Sequence, residues 1–290
     1  MLIDCLEIIT DIFARYAPSI QSKSSLQSSA LAAFLTALNH NNAGVKKRAM
    51  NALGTLGACA TSEIFTEMCA PMLEKLSSGN QEAKKSIVQL TSVLARTSSK
   101  RIGRRLPEFM PRILPLALTE DEDETREVTL QTLETLLLRC PSEVTPFMSQ
   151  CIDAACSSIS HDPNYAGGED SDEDMEDEME DDEEFDMEDY EDDEDLSWKV
   201  RRASAKMLNA AISTRPEMLV TFAERVAPLL VSRSSDREET VRIEVFNTVI
   251  ALLKQTQLYS GSPQATEVMN SSPIALKRKL SDMEDSDTTR

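Results

Sequence analysis

One short pattern recurs along the chain at intervals of about forty residues. It combines a small or β-branched residue, one or two charged residues, and then small and apolar residues at helical spacing. Five segments show it: VKKRAMNAL from Val45, AKKSIVQLT from Ala83, TREVTLQTL from Thr125, VRRASAKML from Val200 and VRIEVFNTV from Val241. Their starts are separated by 38, 42, 75 and 41 residues. Because self-similarity at a fixed period is typical of repeat architectures, the chain is predicted to be an array.

The period indicates which kind of array this is. HEAT-like repeats, each a pair of antiparallel helices, have periods of roughly 40–47 residues. Apolar residues follow helical spacing, as at Leu2, Leu6, Ile9 and Phe13. Glycine is scarce at 8 residues and aromatics make up 4%, which favours helices over sheets. The predicted fold is therefore all-α, a HEAT-repeat α-solenoid in which stacked helical hairpins bury a common core.

An acidic run interrupts the repeat. From Glu169 to Asp195, 21 of 27 residues are carboxylates and none is a cation. Without this run the net charge of −20 becomes +1, so the negative charge is confined to one segment. The step of 75 residues exceeds the next step, of 41, by about the length of the run and its lead-in NYAGG. The run is therefore predicted to be an insertion between the two helices of one repeat.

These patterns divide the chain into four parts. HEAT repeats are predicted for residues 1–160, and the first helix is interpreted as the second helix of an incomplete repeat. A disordered acidic insertion is predicted for residues 161–197, and HEAT repeats continue over residues 198–256. Residues 257–290, rich in Ser, Pro and acids, are predicted to be a disordered tail.

Composition also excludes several classes of function. No stretch approaches about 20 consecutive apolar residues, so a membrane partner is not predicted, and the acidic charge balance argues against nucleic acid. The six cysteines form no C-x-x-C motif and only two histidines are present, so no metal site is predicted. Buried free thiols suit a reducing compartment. Nucleotide-binding and nucleophile-elbow motifs are missing, so the chain is predicted to be neither an enzyme nor cofactor-dependent.

Several stretches resemble one family of long HEAT-repeat proteins. The segment HDPNYAGGEDSDEDMEDE precedes DEDLSWKVRRASAKMLNAAISTRPEML, and further matching stretches are VKKRAMNALGTLG, RIGRRLPEFMPRILP, REVTLQTLETLLLRCPSEV and VFNTVIALLKQT. Over residues 1–256 the chain resembles the N-terminal HEAT-repeat part of the cullin-associated and neddylation-dissociated proteins. The tail, residues 257–290, does not share this resemblance.

The resemblance implies a regulatory scaffold or assembly factor. Its implied partners are a cullin and its RING subunit, within cullin–RING ubiquitin ligases that have not been neddylated. The implied actions are to block neddylation and to promote the exchange of substrate receptors. Because the C-terminal repeats of the family are not in this chain, there are two alternatives: the chain is an excerpt of a longer protein, or a separate C-terminal HEAT-repeat chain of the same family is a further partner.

Two other functions stay open. HEAT arrays of the karyopherin class also carry acidic loops and bind basic cargo, so a transport adaptor is one alternative. An acidic histone-binding chaperone, in which the acidic run holds the basic partner, is the other. The run also has a simpler interpretation, as a solvated and self-repelling loop.

Cations at the start of the predicted second helices are the candidate partner-binding residues: Lys46, Lys47, Arg48, Lys199, Arg201, Arg202 and Arg242. Second helices line the concave face of a HEAT array, where cations pair with the carboxylates of a partner. For Arg201 and Arg242, which each follow a valine, the alternative is a bond to an aspartate in a turn of a neighbouring repeat. Trp198 is expected to hold the helix start against the preceding pair, with a role as a binding anchor as the alternative.

Modification and targeting signals are predicted outside the repeats. Ser171 and Ser281 each precede acidic residues, a pattern that suits an acid-directed kinase, so both are predicted phosphosites. Lys277, Arg278 and Lys279 form a short basic cluster that is interpreted as a nuclear import signal. The chain is accordingly predicted to occur in both the cytoplasm and the nucleus.

Overall fold

The chain is helical wherever its structure is described. The computed structural model describes residues 1–118, 122–163 and 196–259. These ranges contain α-helices, short 3-10 turns and one π-helical turn, and none of them contains a β-strand. Most of the predicted acidic insertion and nearly all of the predicted tail lie outside the described residues.

The helices form two layers. The second helices of the repeats pack against one another in chain order: α1 (Leu2–Arg15), α4 (Ala43–Cys59), α6 (Gln81–Gly103), α8 (Asp123–Arg139), α11 (Ser197–Thr214) and α14 (Glu239–Tyr259). The first helices form the other layer: α2 (Ala17–Gln21) with α3 (Ser24–Leu38), α5 (Ser62–Ser78), α7 (Leu106–Ile113), α9 (Pro141–Val144) with α10 (Met148–Ile159), and α12 (Leu219–Thr221) with α13 (Ala227–Ser232). Hairpins stacked in this way make a solenoid, so the predicted fold class is confirmed.

Polar side chains fix where several helices begin. Asn42 Oδ1 accepts a hydrogen bond from the backbone N–H of Val45 at 3.2 Å, at the start of α4. Asn80 Oδ1 does the same for the N–H of Ala83 at 2.9 Å, at the start of α6. Because the first backbone N–H groups of a helix have no partner within the helix, each of these caps contributes about 1 kcal/mol.

Small residues let the second helices approach closely. A Cβ atom added at Gly54 would lie 2.5 Å from Cγ1 of Val93, and one added at Gly57 would lie 2.7 Å from Cδ2 of Leu94. Both of those neighbours belong to α6, so α4 and α6 pack with almost no space between their backbones and side chains. Close packing of this kind makes the core sensitive to a change of even one methyl group.

The layer of first helices is less regular than the layer of second helices. Proline lies in the first turn or the interior of several of its helices: Pro107 and Pro111 are in α7, and Pro115 is the second residue of a 3-10 turn over Leu114–Ala117. Proline has no N–H to donate and clashes with the preceding turn. Between α12 and α13 the chain forms a π-helical turn, Phe222–Val226. The candidate site therefore lies on the more regular of the two layers, the layer of second helices.

The repeated segments mark the starts of five second helices. The residues that open them in the sequence lie in the first turn of α4, α6, α8, α11 and α14. The chain leaves α10 after Ile159, and α11 begins at Ser197, so the acidic run falls between a first helix and a second helix.

Within the described ranges, every helix is too short or too polar to span a bilayer.

Candidate partner-binding groove

A polar groove runs along the second helices. Its main part has a volume of about 750 Å³ and crosses α4, α6, α8 and α11. A smaller part of about 510 Å³ continues it across α8, α11 and α14. The two parts share Glu134 and Lys206 as lining residues, so we treat them as one surface and call it the inner groove.

Ion pairs link successive helices on the wall of the inner groove. Lys46 Nζ on α4 lies 2.9 Å from Glu82 Oε1 on α6. Lys85 Nζ on α6 contacts Glu82 Oε2 at 2.7 Å and Glu124 Oε2 on α8 at 2.9 Å. The hydrogen bonds from Lys85 and Lys46 hold the pKa of the Glu82 carboxyl below its usual value. Half-exposed pairs of this kind contribute little stability, about 0–1 kcal/mol each, and they remain available to exchange partners.

Two half-buried carboxylates of α8 face cations of α11. Burial raises the pKa of Glu127, and the charge of Lys199 opposes that shift. Burial likewise raises the pKa of Glu134, opposed by the charge of Lys206. Both carboxylates are therefore held in a partly desolvated environment at the centre of the inner groove.

The last of these contacts between charged side chains of successive helices involves α14. Glu244 Oε1 lies 3.8 Å from Arg202 Nε and 3.9 Å from Lys206 Nζ, so one carboxylate serves two cations. Lys199 instead places its Nζ 5.6 Å from the centre of the Trp198 ring.

Three exposed cations of the inner groove have no ionic partner within the described ranges. Lys47 on α4, Arg96 on α6 and Lys254 on α14 line the groove, and none of them forms an ion pair or a side-chain hydrogen bond there. These are the positions at which a carboxylate of a partner gains the most, because no existing pair has to be broken first.

Four of the seven predicted partner-binding cations line the inner groove: Lys46, Lys47, Lys199 and Arg202. Arg48 lies outside it and pairs with Glu7 on α1 at 2.5 Å. Their role in binding stays a prediction, but the structure places them on one surface.

Arg201 lies in the interior and not in the inner groove. Its side chain is fully buried, with Nε 2.7 Å from Asp236 Oδ2 and Nη2 3.1 Å from Asp236 Oδ1. Nη1 donates to Ser197 Oγ at 2.8 Å and to the carbonyl oxygen of His161 at 3.2 Å, and Asp162 lies 3.7 Å away. A guanidinium enclosed in this way has no surface for a partner, so we remove Arg201 from the candidate binding residues. The alternative weighed for it, an aspartate in a turn of the next repeat, is what the structure shows.

Arg242 also bonds within the protein, but to backbone oxygens. Its Nη1 donates to the carbonyl oxygens of Asp236 at 2.7 Å and Arg237 at 3.0 Å. These bonds hold the turn that precedes α14, and no aspartate side chain is involved. Trp198 is partly buried and packs against the core at the start of α11. That position fits its expected role at the helix start.

The structure also shows a contact that the sequence did not suggest. His161 Nε2 lies 2.9 Å from Asp123 Oδ1, which connects the end of the α10 segment to the start of α8. Together with the bonds of Arg201, this contact draws residues on both sides of the acidic run to one place. The 38-residue separation of His161 and Asp123 gave no motif by which to find the pair.

The cysteines are free thiols, four of them buried. Burial raises the pKa of Cys69 to about 11 and that of Cys151 to about 12, so these thiols stay protonated at neutral pH. No cluster of three metal-ligating side chains occurs in the described ranges. The predicted phosphosites Ser171 and Ser281 and the basic cluster Lys277, Arg278 and Lys279 lie outside those ranges.

Fold and groove together define a helical-repeat scaffold with an elongated polar binding surface. A designed armadillo repeat protein in complex with the peptide (KR)4 has the same fold, with a TM-score of 0.52 at 14% identity, over 86% of this chain and 92% of that one. No family model matches the chain.

Sequence relatives identify the family. "Cullin-associated NEDD8-dissociated protein 1" of Dictyostelium discoideum is 33% identical over 297 residues, which cover 96% of this chain and 23% of that protein. "Cullin-associated NEDD8-dissociated protein 1, C-terminal part" of Emericella nidulans is 37% identical over 185 residues, covering 55% of this chain and 18% of that protein. The predicted family is confirmed: the chain belongs to the family of cullin-associated NEDD8-dissociated proteins, and it spans about a fifth of the length of these relatives.

Proposed function

We propose that the chain is a regulatory scaffold that binds cullin–RING ubiquitin ligases before neddylation. The observation that carries this proposal is the one-third identity, over nearly the whole chain, to relatives named for their association with cullins. The inner groove supports it, because it offers a continuous surface across five helices and cations without partners. The described residues show no feature that favours a transport adaptor or a histone chaperone over this function.

The mechanism we propose is steric. A rigid two-layer solenoid presents the inner groove, and the cullin and its RING subunit dock along it. A cullin covered in this way is inaccessible to the enzymes that attach NEDD8, so binding alone blocks the modification. The chain supplies contacts and no reaction chemistry, and it acts in the cytoplasm and the nucleus.

Exchange of substrate receptors belongs to the same proposal. We propose that a separate C-terminal HEAT-repeat chain stacks on this chain and takes part in that exchange. Support comes from α14, which exposes Ile243, Phe246 and Leu253 away from the inner groove, each about half exposed or more. Their spacing of three and seven residues forms one apolar stripe, which is how a second helix presents itself to a following repeat.

The test uses purified proteins. Residues 1–290 are mixed with a cullin–RING complex, unmodified or NEDD8-modified, with and without the C-terminal chain, and neddylation is followed over time. We expect binding to the unmodified complex and slower neddylation. Equal binding to the modified complex would contradict the proposed mechanism. Failure to bind in any combination would overturn the proposed function.

A further inference from the structure

Amide side chains recur at one register position of the inner groove. The position lies six residues after the start of each repeated segment. It is occupied by amides on four of the five second helices that carry the segment and by a lysine on α11; the residues in chain order are Asn51, Gln89, Gln131, Lys206 and Asn247. We call the four amides the amide ladder. All five side chains line the groove. The residue six positions after the start of a segment lies on nearly the same helical face as the residues two, three and ten positions after that start.

Most of these amides have hydrogen-bonding capacity to spare. The side chains of Asn51 and Gln89 have no hydrogen-bond partner in the described part of the chain. Gln131 donates its amide to Glu127 at 2.7 Å and keeps its carbonyl oxygen free. An amide offers both donors and an acceptor, which is the combination that pairs with the N–H and C=O of a polypeptide backbone.

A backbone that needs such partners is an extended one. An α-helix satisfies its own N–H and C=O groups and docks through apolar anchors. The main part of the inner groove offers amides and charges where such anchors would have to fit, and its apolar residues Met50 and Val128 are largely buried. Half-exposed aliphatic side chains, Leu138 and Ile250, line only the smaller part of the groove. An extended segment, in contrast, must find a hydrogen-bond partner for each backbone group that it buries.

The charges that line the inner groove indicate which side chains a bound extended segment carries. Eight cations and five carboxylates line the inner groove, a surplus of three positive charges. Lys47 and Arg96, two of the three exposed cations without an ionic partner, lie on neighbouring helices. The segment is therefore complementary when it carries carboxylates.

Nucleic acid fits this surface less well. The five carboxylates of the groove repel phosphates, and none of the described lining residues is an aromatic side chain on which a base could stack. Since phosphates repeat along the whole strand, they would meet these carboxylates as well as the cations.

We propose that the inner groove binds an extended acidic peptide segment of a partner protein, with the amide ladder holding its backbone and Lys47 and Arg96 its carboxylates. Neighbouring helices are about 8–10 Å apart, so five of them span roughly 36 Å, or about eleven extended residues. The proposal does not depend on the partner being a cullin, because it rests on the groove alone.

Fluorescence anisotropy with the full chain tests this. The probe is a fluorescein-labelled twelve-residue peptide of alternating Glu and Ser, compared with a Gln and Ser peptide and with a twelve-nucleotide oligothymidylate. Three variants are titrated: Asn51→Ala/Gln89→Ala/Gln131→Ala, Lys47→Glu/Arg96→Glu, and the control Lys23→Glu/Lys100→Glu. The control makes the same charge change at exposed positions outside the groove, and circular dichroism verifies folding.

The proposal predicts at least tenfold weaker binding of the Glu peptide by both groove variants, and a change of less than twofold in the control. The amide variant is decisive, because it leaves the charge unchanged. Wild-type affinity in the folded amide variant would overturn the ladder. If that variant does not fold, equal affinity of the charge variant and the control would overturn the groove as the site. Equal or tighter binding of the oligothymidylate would assign the surface to polyanions in general.

Discussion

Two repeats carry similar residues near the start of their second helices, Val-Lys-Lys in α4 and Val-Arg-Arg in α11, but the first cation of each lies in a different environment. In α4, Lys46 follows Val45 and lies on the wall of the inner groove, where it pairs with the exposed Glu82. In α11, Arg201 follows Val200 in the same register, yet its side chain is fully buried between Asp236 and Asp162. Register alone therefore does not decide whether a cation faces a partner or the interior.

The difference originates in the turn before the next second helix. Asp236 lies five residues before Val241, and its carboxylate reaches back to Arg201. The equivalent position before Ala83 is Ser78, which offers Lys46 no carboxylate. A long cation turns inward only where a buried acid balances it, because an unpaired buried charge is very unfavourable.

The largest expected effect comes from breaking the interior pair. Arg201→Ala leaves Asp236 buried without its cation, and we expect a loss of about 3–5 kcal/mol in the free energy of unfolding. Lys46→Ala removes an exposed pair and is expected to cost about 1 kcal/mol or less. Urea denaturation of both variants measures the contrast. Equal losses would show that the two cations are in equivalent environments after all.

A substitution in the interface between α4 and α6 should have the next largest effect. Gly57→Val places methyl groups where even a Cβ atom would lie 2.7 Å from Leu94, so overpacking is expected to cost about 1–3 kcal/mol. Ala58→Val, on the exposed side of the same helix, adds similar bulk and should cost only a few tenths of that. Thermal unfolding followed by circular dichroism compares them, and similar melting temperatures would argue against the close approach.

The groove-side carboxylates predict a smaller, pH-dependent effect. Burial raises the pKa of Glu134 above its ordinary value of 4.5, so the folded chain binds its proton more tightly than the unfolded chain does. This favourable contribution is complete below the ordinary pKa and is lost as the pH rises through the raised value. Glu134→Gln should therefore lose less stability than the wild type between pH 4.5 and 7. Parallel stability curves would place Glu134 in an ordinary, solvated environment.

The smallest expected effect is that of shortening the insertion. Arg201 bonds both to residues before the acidic run and to Ser197 after it, so the two ends already lie together. Replacing residues 164–195 by about eight Gly and Ser residues should change the free energy of unfolding by about 1 kcal/mol or less, since loop closure depends weakly on length. Loss of the folded state would show that the run is part of the repeat.

Much of the fold could be predicted from the sequence, because the repeat is written in helix-forming residues at a fixed period. The segments from Val45, Ala83, Thr125, Val200 and Val241 open second helices as expected, and the acidic run falls within a repeat. Local patterns of this kind depend only on neighbouring residues. They also placed four of the seven candidate cations on one surface.

The remainder depends on contacts between distant parts of the chain. The burial of Arg201 requires Asp236, 35 residues away, and His161 meets Asp123 at a similar separation. Ser98, within α6, has non-helical backbone angles, φ −144° and ψ 43°. No proline or glycine stands at this position from which the break could be predicted. Nor do single helices reveal the amide ladder, which appears only when the repeats are placed in register.

The central claim is that the inner groove is the surface on which the partner binds. Calorimetric titration of an unneddylated cullin–RING complex into residues 1–290, with the C-terminal HEAT-repeat chain present, tests it most directly. The account predicts at least tenfold weaker binding by Lys47→Glu/Arg96→Glu than by the charge-matched Lys23→Glu/Lys100→Glu. Wild-type affinity in the groove variant would contradict the account and move the binding surface elsewhere on the solenoid.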